Sequence, residues 1–293
     1  MGKGLKMPPG DLRKLQMIEL EMLLEVDRIC RKHQIQYFLS EGSLLGAVRH
    51  RGFIPWDDDI DVFMMRKEYE RFLNICKTEL NRKKFFLQTY ETDPEYRWFY
   101  GKLRRKGTEF LRAGQEAIRC MSGVSIDIFV MDNQPDHYIP WLLFTLLRRG
   151  CIKTLWSVVG ATEEETTWKR CLYRLLRHIN KRIPLGIMNY MQKITNRRET
   201  KEVCCIGFYR KSPWTQIRKK GEPRGYCRKW FSDTVEIEFE GFRFQTCKEY
   251  KKYLRWVYGD YMLLPPEEER FSHAPRRYQL NVEPDLTRSW RTE

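Results

Sequence analysis

FLSEGSLLGAVRHRGFIPWDDDIDVFM, residues 38–64, carries the pattern that decides the fold. Residues 35–39 read as a short strand, Ser40, Glu41, Gly42 and Ser43 as a turn, and residues 44–49 as the opening of a helix. A strand, a turn and a helix N-terminus in that order present backbone N–H groups to a phosphate. Pro55 keeps its neighbours out of helix, so residues 52–56 form a loop, and residues 58–65 read as the next strand. Asp57, Asp58, Asp59 and Asp61 place four carboxylates within five residues. They repel one another unless a cation neutralises them. Residues i and i+2 of a strand share a face, which groups Asp59 with Asp61 and turns Asp58 away. Two carboxylates on one face suit Mg²⁺, which prefers oxygen ligands and keeps positions open for substrate phosphates.

A bare Asp-x-Asp is most often a solvated acidic turn, and a third acid changes that reading. Asp127 lies in Ser125-Ile126-Asp127-Ile128-Phe129, flanked by strand formers. An Asp amid apolar strand residues is costly unless it is paired, hydrogen-bonded or on a metal. The other elements follow from periodicity and punctuation. Asp11 is the expected N-cap of a helix reaching Gln34, with Leu15, Ile18, Met22, Val26 and Ile29 along one face. A helix is expected over 67–80, and strands over 85–90, 98–105 and 123–131. The chain reads as helical over 139–196, with breaks near Gly160 and Pro184. Residues 201–228 look loop-rich. A strand over 234–239, a turn at Gly241 and a helix over 248–258 lead into a proline-containing tail. The fold class is α/β (α+β) with a mixed sheet. Residues 1–135 are the expected catalytic core, 136–230 a helical and loop-rich basic region, and 231–293 a C-terminal strand, helix and tail packing back on the core.

With 42% hydrophobic residues in 293, the chain has enough apolar surface for a core, which excludes a disordered protein. The net charge of +15 is concentrated: residues 165–230 hold 18 Lys and Arg against 4 Glu, and the rest is nearly balanced. Such a block implies an anionic neighbour or a solvated helical surface. The nine cysteines include no Cys-x-x-Cys and no zinc spacing, which suggests a reduced, cytoplasmic setting. No signal-peptide core opens the chain, and Lys6 stands at the Ser/Thr position of a myristoylation signal. The longest apolar run, residues 139–147, is too short to span a bilayer; it could lie on one, but a buried or partly buried helix is the commoner outcome for such a run.

The order Gly-Ser, Asp-x-Asp and a later strand Asp resembles the nucleotidyltransferase superfamily of the DNA polymerase β type. The longer run 38–64 resembles the signature of the LicD family of phosphocholine and related phosphodiester transferases, which is similar to the fukutin-type enzymes. YGDYMLLPPEEER, residues 258–270, with His273, resembles that family's C-terminal motif. Glu41 stands where many relatives have a second Gly, and Cys247 where a Pro is expected. The resemblance implies a nucleotidyltransferase-like core in which Gly42 and Ser43 contact donor phosphates. Asp59, Asp61 and Asp127 would ligate Mg²⁺, or Mn²⁺ in its place, with Asp127 as base or as pure ligand. Arg49, Arg51, Lys102, Arg270 and His273 are weaker candidates for donor phosphate binding. Trp56, Trp98, Tyr100 and Trp230 offer faces for a quaternary ammonium or a cytosine ring.

The implied activity is transfer of phosphocholine or a related alcohol phosphate from a CDP-linked donor such as CDP-choline. The acceptor is a sugar hydroxyl of a glycan or lipid-linked glycan, as in modification of lipopolysaccharide or teichoic acid, and CMP is released. The protein is expected in the cytoplasm, or peripheral to the inner face of an anionic membrane; nucleic acid is not an expected partner. Two other readings are a nucleotidyltransferase acting on RNA or a small molecule with pyrophosphate release, and a non-catalytic surface adaptor. The strand register itself is testable: Asp58→Asn should retain more turnover than Asp59→Asn at saturating Mg²⁺, and equal losses would reject it.

Overall fold

The computed structural model describes residues 7–205, 224–270, 272 and 275–287. Helix α1 (Pro9–Lys32) starts two residues before the expected N-cap, and Asp11 sits in its first turn, accepting a hydrogen bond from the Tyr278 hydroxyl at 2.7 Å. Its apolar stripe is wholly buried, with Leu15, Ile18, Met22, Val26 and Ile29 at 0% exposure. The expected strand before Ser40 shortens to β1 (Phe38–Leu39), and α2 (Glu41–His50) begins directly after it. β2 (Asp61–Met65), α3 (Arg66–Glu79), β3 (Phe85–Gln88) and β4 (Gly101–Arg105) follow as expected, with shorter strands. β6 (Ser125–Asn133) follows β5 (Glu109–Arg112), a strand that the sequence reading left out.

The central sheet runs β1-β2-β6-β4-β3, and β6 is its spine. β2 lies parallel to β6 along one edge. The other edge is shared antiparallel by β4, over the first half of β6, and by β7 (Glu202–Cys205), over its end. β7 pairs in turn with β8 (Tyr226–Cys227). The stretch 201–228 therefore supplies two sheet strands where a loop was expected, and the part of the basic block over 206–223 lies outside the described residues. The β-period of two sorts the strand residues between two cores. Val62, Met64, Ile126, Ile128 and Val130 pack against α1 and α3. Phe63, Phe129 and Met131 pack on the opposite face against α2 and α7 (Tyr250–Tyr258). Asp61 and Asp127 are in phase with Phe63 and Phe129, so both carboxylates point to that second face.

The helical stretch divides differently from the sequence reading. α4 (Tyr138–Glu163) passes through Gly160 unbroken, because the space of a Cβ there is filled by the rings of Trp156 and Tyr173, at 2.5 and 2.6 Å. The glycine permits close packing of α5 (Thr167–Leu176) instead of ending a helix. Pro184 lies in the first turn of α6 (Arg182–Thr195), where its missing N–H costs nothing. The run 139–147 is only half covered: Trp141 is buried, whereas Ile139 and Leu143 are 68% and 63% exposed.

After Phe239 the chain makes a two-residue turn with Glu240 and Gly241 at φ of 54° and 74°, the geometry that suits the twist of a hairpin. The turn joins β9 (Thr234–Phe239) to β10 (Phe242–Cys247), a strand where only an approach to a helix was expected. β11 (Pro275–Gln279), in the tail, returns to pair with β5. All nine cysteines are free thiols. Among the described residues no helix is long and apolar enough to cross a membrane.

Phe63 has 0% exposure and stands edge-on to Phe129 and Tyr253 at 6.1 and 6.4 Å. Phe63→Ala should lower stability by about 3–5 kcal/mol, measured by urea unfolding; a loss below ~1 kcal/mol would contradict the packing described for this face.

Candidate active site

The parallel register of β2 and β6 pairs Asp61 with Asp127, and the antiparallel register of β4 and β6 pairs Asp127 with Lys102. Three ionisable side chains thus stand in a row across three strands at one end of the sheet. Lys102 forms an ion pair with the Asp127 carboxylate, and both side chains are largely buried. Asp61 is held by its backbone: its N–H donates to the Ser43 hydroxyl at 2.9 Å, and its carbonyl accepts from the N–H and the hydroxyl of Ser40 at 3.1 and 3.0 Å. The turn read as a phosphate cradle is therefore also the clamp that fixes the first acid.

Asp59 precedes the strand, so its position comes from the loop and not from strand alternation. Gly46 lets that loop approach α2, since a Cβ there would lie 2.4 Å from the carbonyl oxygen of Gly52. The carboxylate of Asp57 lies 2.7 Å from where a Gly42 Cβ would be, so a side chain at 42 would make that carboxylate turn away from the N-terminus of α2. Asp58 is 2% exposed, facing inward, and Asp59 pairs with Arg112 of β5 at 3.4 Å.

The electrostatics follow from this crowding. Burial, then Asp59 and Asp127, push the Asp61 carboxyl well above its usual value. Beneath the loop, Glu19 of α1 is 1% exposed, and burial, then Asp59 and Asp58, push its carboxyl well above the usual range. Burial lowers the Lys102 ammonium. It also pulls down the Arg112 guanidinium, but Asp59, Asp58 and Asp127 outweigh that and the net shift is upward. Neither Glu19 nor Arg112 was singled out from the sequence. Both reach the site through non-local packing; the only sequence signal was a Glu on the otherwise apolar face of α1.

Among the described residues, no three Asp, Glu, His or Cys side chains are gathered as a ready-made metal cage. The donor set still fits a hard divalent cation: Asp59, Asp61 and Asp127 offer only oxygens, and the repulsion that raises Asp61 is what such an ion would relieve.

The remaining candidates fall into two groups. Arg49 donates to the carbonyls of Tyr261 and Leu263 at 3.2 and 3.0 Å, tying the C-terminal motif to α2. The Arg270 guanidinium lies over the ring of Trp56, 5.2 Å from its centroid, beside the acidic loop. These two bind the tail to the site's rim. Arg51 is exposed at the C-terminal end of α2, with φ of 58°, and His273 lies outside the described residues. Of the aromatic candidates, Tyr100 packs on Phe129 at 4.5 Å under the Lys102 ammonium, Trp98 on Tyr96, and Trp230 on Trp256.

Glu41, at the mouth of the turn with φ of 47°, is buried, and its carboxylate accepts from three phenols. Tyr226 donates at 3.0 Å and Tyr253 closely to one oxygen, and Tyr258 at 3.4 Å to the other. Burial raises its carboxyl and the phenols counter part of that rise. The added charge is thus bound among tyrosines of β8 and α7, which draws the C-terminal elements onto the N-terminus of α2.

With this geometry in place, likeness to known proteins becomes informative. Residues 34–141 match the family model described as LicD/FKTN/FKRP, nucleotidyltransferase domain. Over 270 residues, 89% of this chain and 95% of the relative, it is 30% identical to the lipopolysaccharide cholinephosphotransferase LicD of Haemophilus influenzae. An uncharacterized protein of Rickettsia prowazekii is 34% identical over 76 residues, 20% of this chain and 29% of its own. One of Rickettsia typhi is 38% identical over 55 residues, 19% of this chain and 18% of its own. Fold, acids and likeness define a phosphotransferase enzyme. The chain belongs to the LicD family.

Because Asp61 holds its proton more tightly folded than unfolded, its contribution to stability is full below the unfolded value of about 3.9 and is lost as pH rises through the folded value. In metal-free protein, Asp61→Asn should therefore be more stable than the parent near neutral pH, with the difference closing toward about pH 4. It should also lose turnover by roughly a thousandfold or more. Urea unfolding across pH checks the first part, and an Asp61→Asn protein less stable than the parent at neutral pH would contradict it.

Proposed function

We propose that this chain transfers phosphocholine, or a closely related alcohol phosphate, from a CDP-linked donor to a sugar hydroxyl of a lipopolysaccharide-type glycan and releases CMP. The observation that carries the reading is the alignment of Asp61, Asp127 and Lys102 on adjacent strands beside the N-terminus of α2. The name and the long alignment of the Haemophilus relative support the choice of group and acceptor.

In this reading the acceptor hydroxyl attacks the phosphorus that carries the alcohol, and the bond from that phosphorus to the bridging oxygen of the donor breaks as CMP leaves. Asp127 is positioned to orient the hydroxyl and take its proton, and Lys102 meets the charge on that carboxylate. A divalent cation, Mg²⁺ or Mn²⁺, held by Asp59, Asp61 and Asp127, supplies neutralisation of the phosphate oxygens. The amides at the start of α2, beside Gly42 and Ser43, favour an anionic phosphate, and Ser43 still has its hydroxyl proton to donate. Arg112 offers a cation next to Asp59 for the same purpose. Arg49 and Arg270 act indirectly, by holding the C-terminal motif at the rim.

The expected outcome is a metal-dependent yield of CMP from a CDP-alcohol in the presence of a glycan acceptor, lost in Asp127→Asn and followed by mass spectrometry over a panel of CDP-alcohols. Pyrophosphate released from CTP, with no CMP from any CDP-alcohol, would instead support the nucleotidyltransferase reading.

A further inference from the structure

α4 packs on both α5 and α6, and each of the three helices leaves an apolar stripe uncovered. The exposed pairs are Ile139 and Leu143 on α4, Trp168 and Leu175 on α5, and Ile183 and Tyr190 on α6, all between 57% and 71% exposed. Their spacings of four and seven residues put each pair on one side of its helix. The opposite sides account for the packing: α6 buries Leu185, Met188 and Met191, while α5 buries only Tyr173, edge-on to Trp156 at 5.2 Å. A ten-residue helix anchored by one buried side chain, with Trp168 and Leu175 in water, gains little from the fold itself.

The charge on these helices selects the partner. From Tyr138 to Arg198 there are twelve Lys and Arg and three Glu, and those three, Glu163, Glu164 and Glu165, are confined to the junction of α4 and α5. Two such faces from two copies would repel, which disfavours self-association. A spanning arrangement is excluded for α4, whose length is interrupted by Arg148, Arg149 and Lys153. Apolar stripes bordered by basic side chains are what an in-plane helix needs at a lipid surface: the apolar residues enter the acyl boundary, and Lys and Arg reach back to headgroup phosphates.

We infer that α4, α5 and α6 form an interfacial platform that docks the protein on an anionic membrane, through their exposed apolar stripes and the basic residues beside them. This goes beyond the transferase reading and stands independently of the acidic site.

The test is co-sedimentation of the full chain with vesicles of phosphatidylcholine alone or with about one-third phosphatidylglycerol, at low and at roughly 0.5 M salt. Binding to the anionic vesicles should exceed binding to the neutral ones at least tenfold at low salt and weaken at high salt. Leu143→Glu with Leu175→Glu should reduce it at least tenfold. Because both side chains are exposed, far-UV circular dichroism should be unchanged, and Trp168→Glu alone gives a milder second case. CMP release with a water-soluble acceptor should be the same in parent and variants, so its absence in all of them would count against the transferase reading and not against docking. Equal binding to both vesicles, no binding at low salt, binding retained by the double variant, or a parent dimer that the double variant abolishes would each overturn the inference.

Discussion

Two carboxylates on neighbouring parallel strands, Asp61 and Asp127, set the terms for everything around them. Strand register fixes their backbones side by side, so they cannot separate without undoing the sheet; Asp61 is buried and Asp127 only partly exposed. The fold answers with cations brought from distant parts of the chain. Lys102 comes from β4, and Arg112 from β5, a strand that is itself held by β11 in the tail. Glu19, beneath the loop, feels the same crowding, and burial with Asp59 and Asp58 makes its carboxyl harder to ionise. The site is thus a concentration of unfavourable charge stabilised by the sheet, an arrangement suited to binding what relieves it: a hard cation and its phosphate ligands.

The parts of this design legible in the sequence were those written within a few residues. The acidic run, the glycine and serine before it and the apolar flanks of Asp127 all declare themselves locally, and the alternation that puts Phe63 and Phe129 on one face does the same for Asp61 and Asp127. What stayed hidden depends on partners far along the chain. β5 and β11 are short strands with more than 150 residues between them, and neither has a periodicity that marks it alone. Arg112 therefore could not be placed beside Asp59. Gly160 was misleading for a related reason, since its role is to admit the ring of Tyr173, a residue of the next helix. The grouping of Asp59 with Asp61 had a different weakness: strand alternation was extended to residues 58–60, which precede β2 and belong to a loop.

Glu41 illustrates how its surroundings decide whether a buried carboxylate can be kept. Read as an isolated residue, a buried carboxylate close to Asp61 is unfavourable. In the fold it accepts from Tyr226, Tyr253 and Tyr258, and it occupies a left-handed backbone conformation that most side chains avoid. Those tyrosines come from β8 and α7, so the charge serves as the point on which the C-terminal third of the chain closes against α2.

The tie from Arg49 to the tail has a different character, because the guanidinium meets the main-chain carbonyls of Tyr261 and Leu263 and no side chain of that segment. Recognition of backbone is indifferent to residue identity and strict about spacing. The hold on α2 therefore fixes the path of the segment and not its side chains, and one residue inserted between Gly259 and Tyr261 would carry both carbonyls out of register. Arg49 thus reads the course of the main chain and leaves the side chains of this stretch to other contacts, as where Tyr261 packs on the core beside α2.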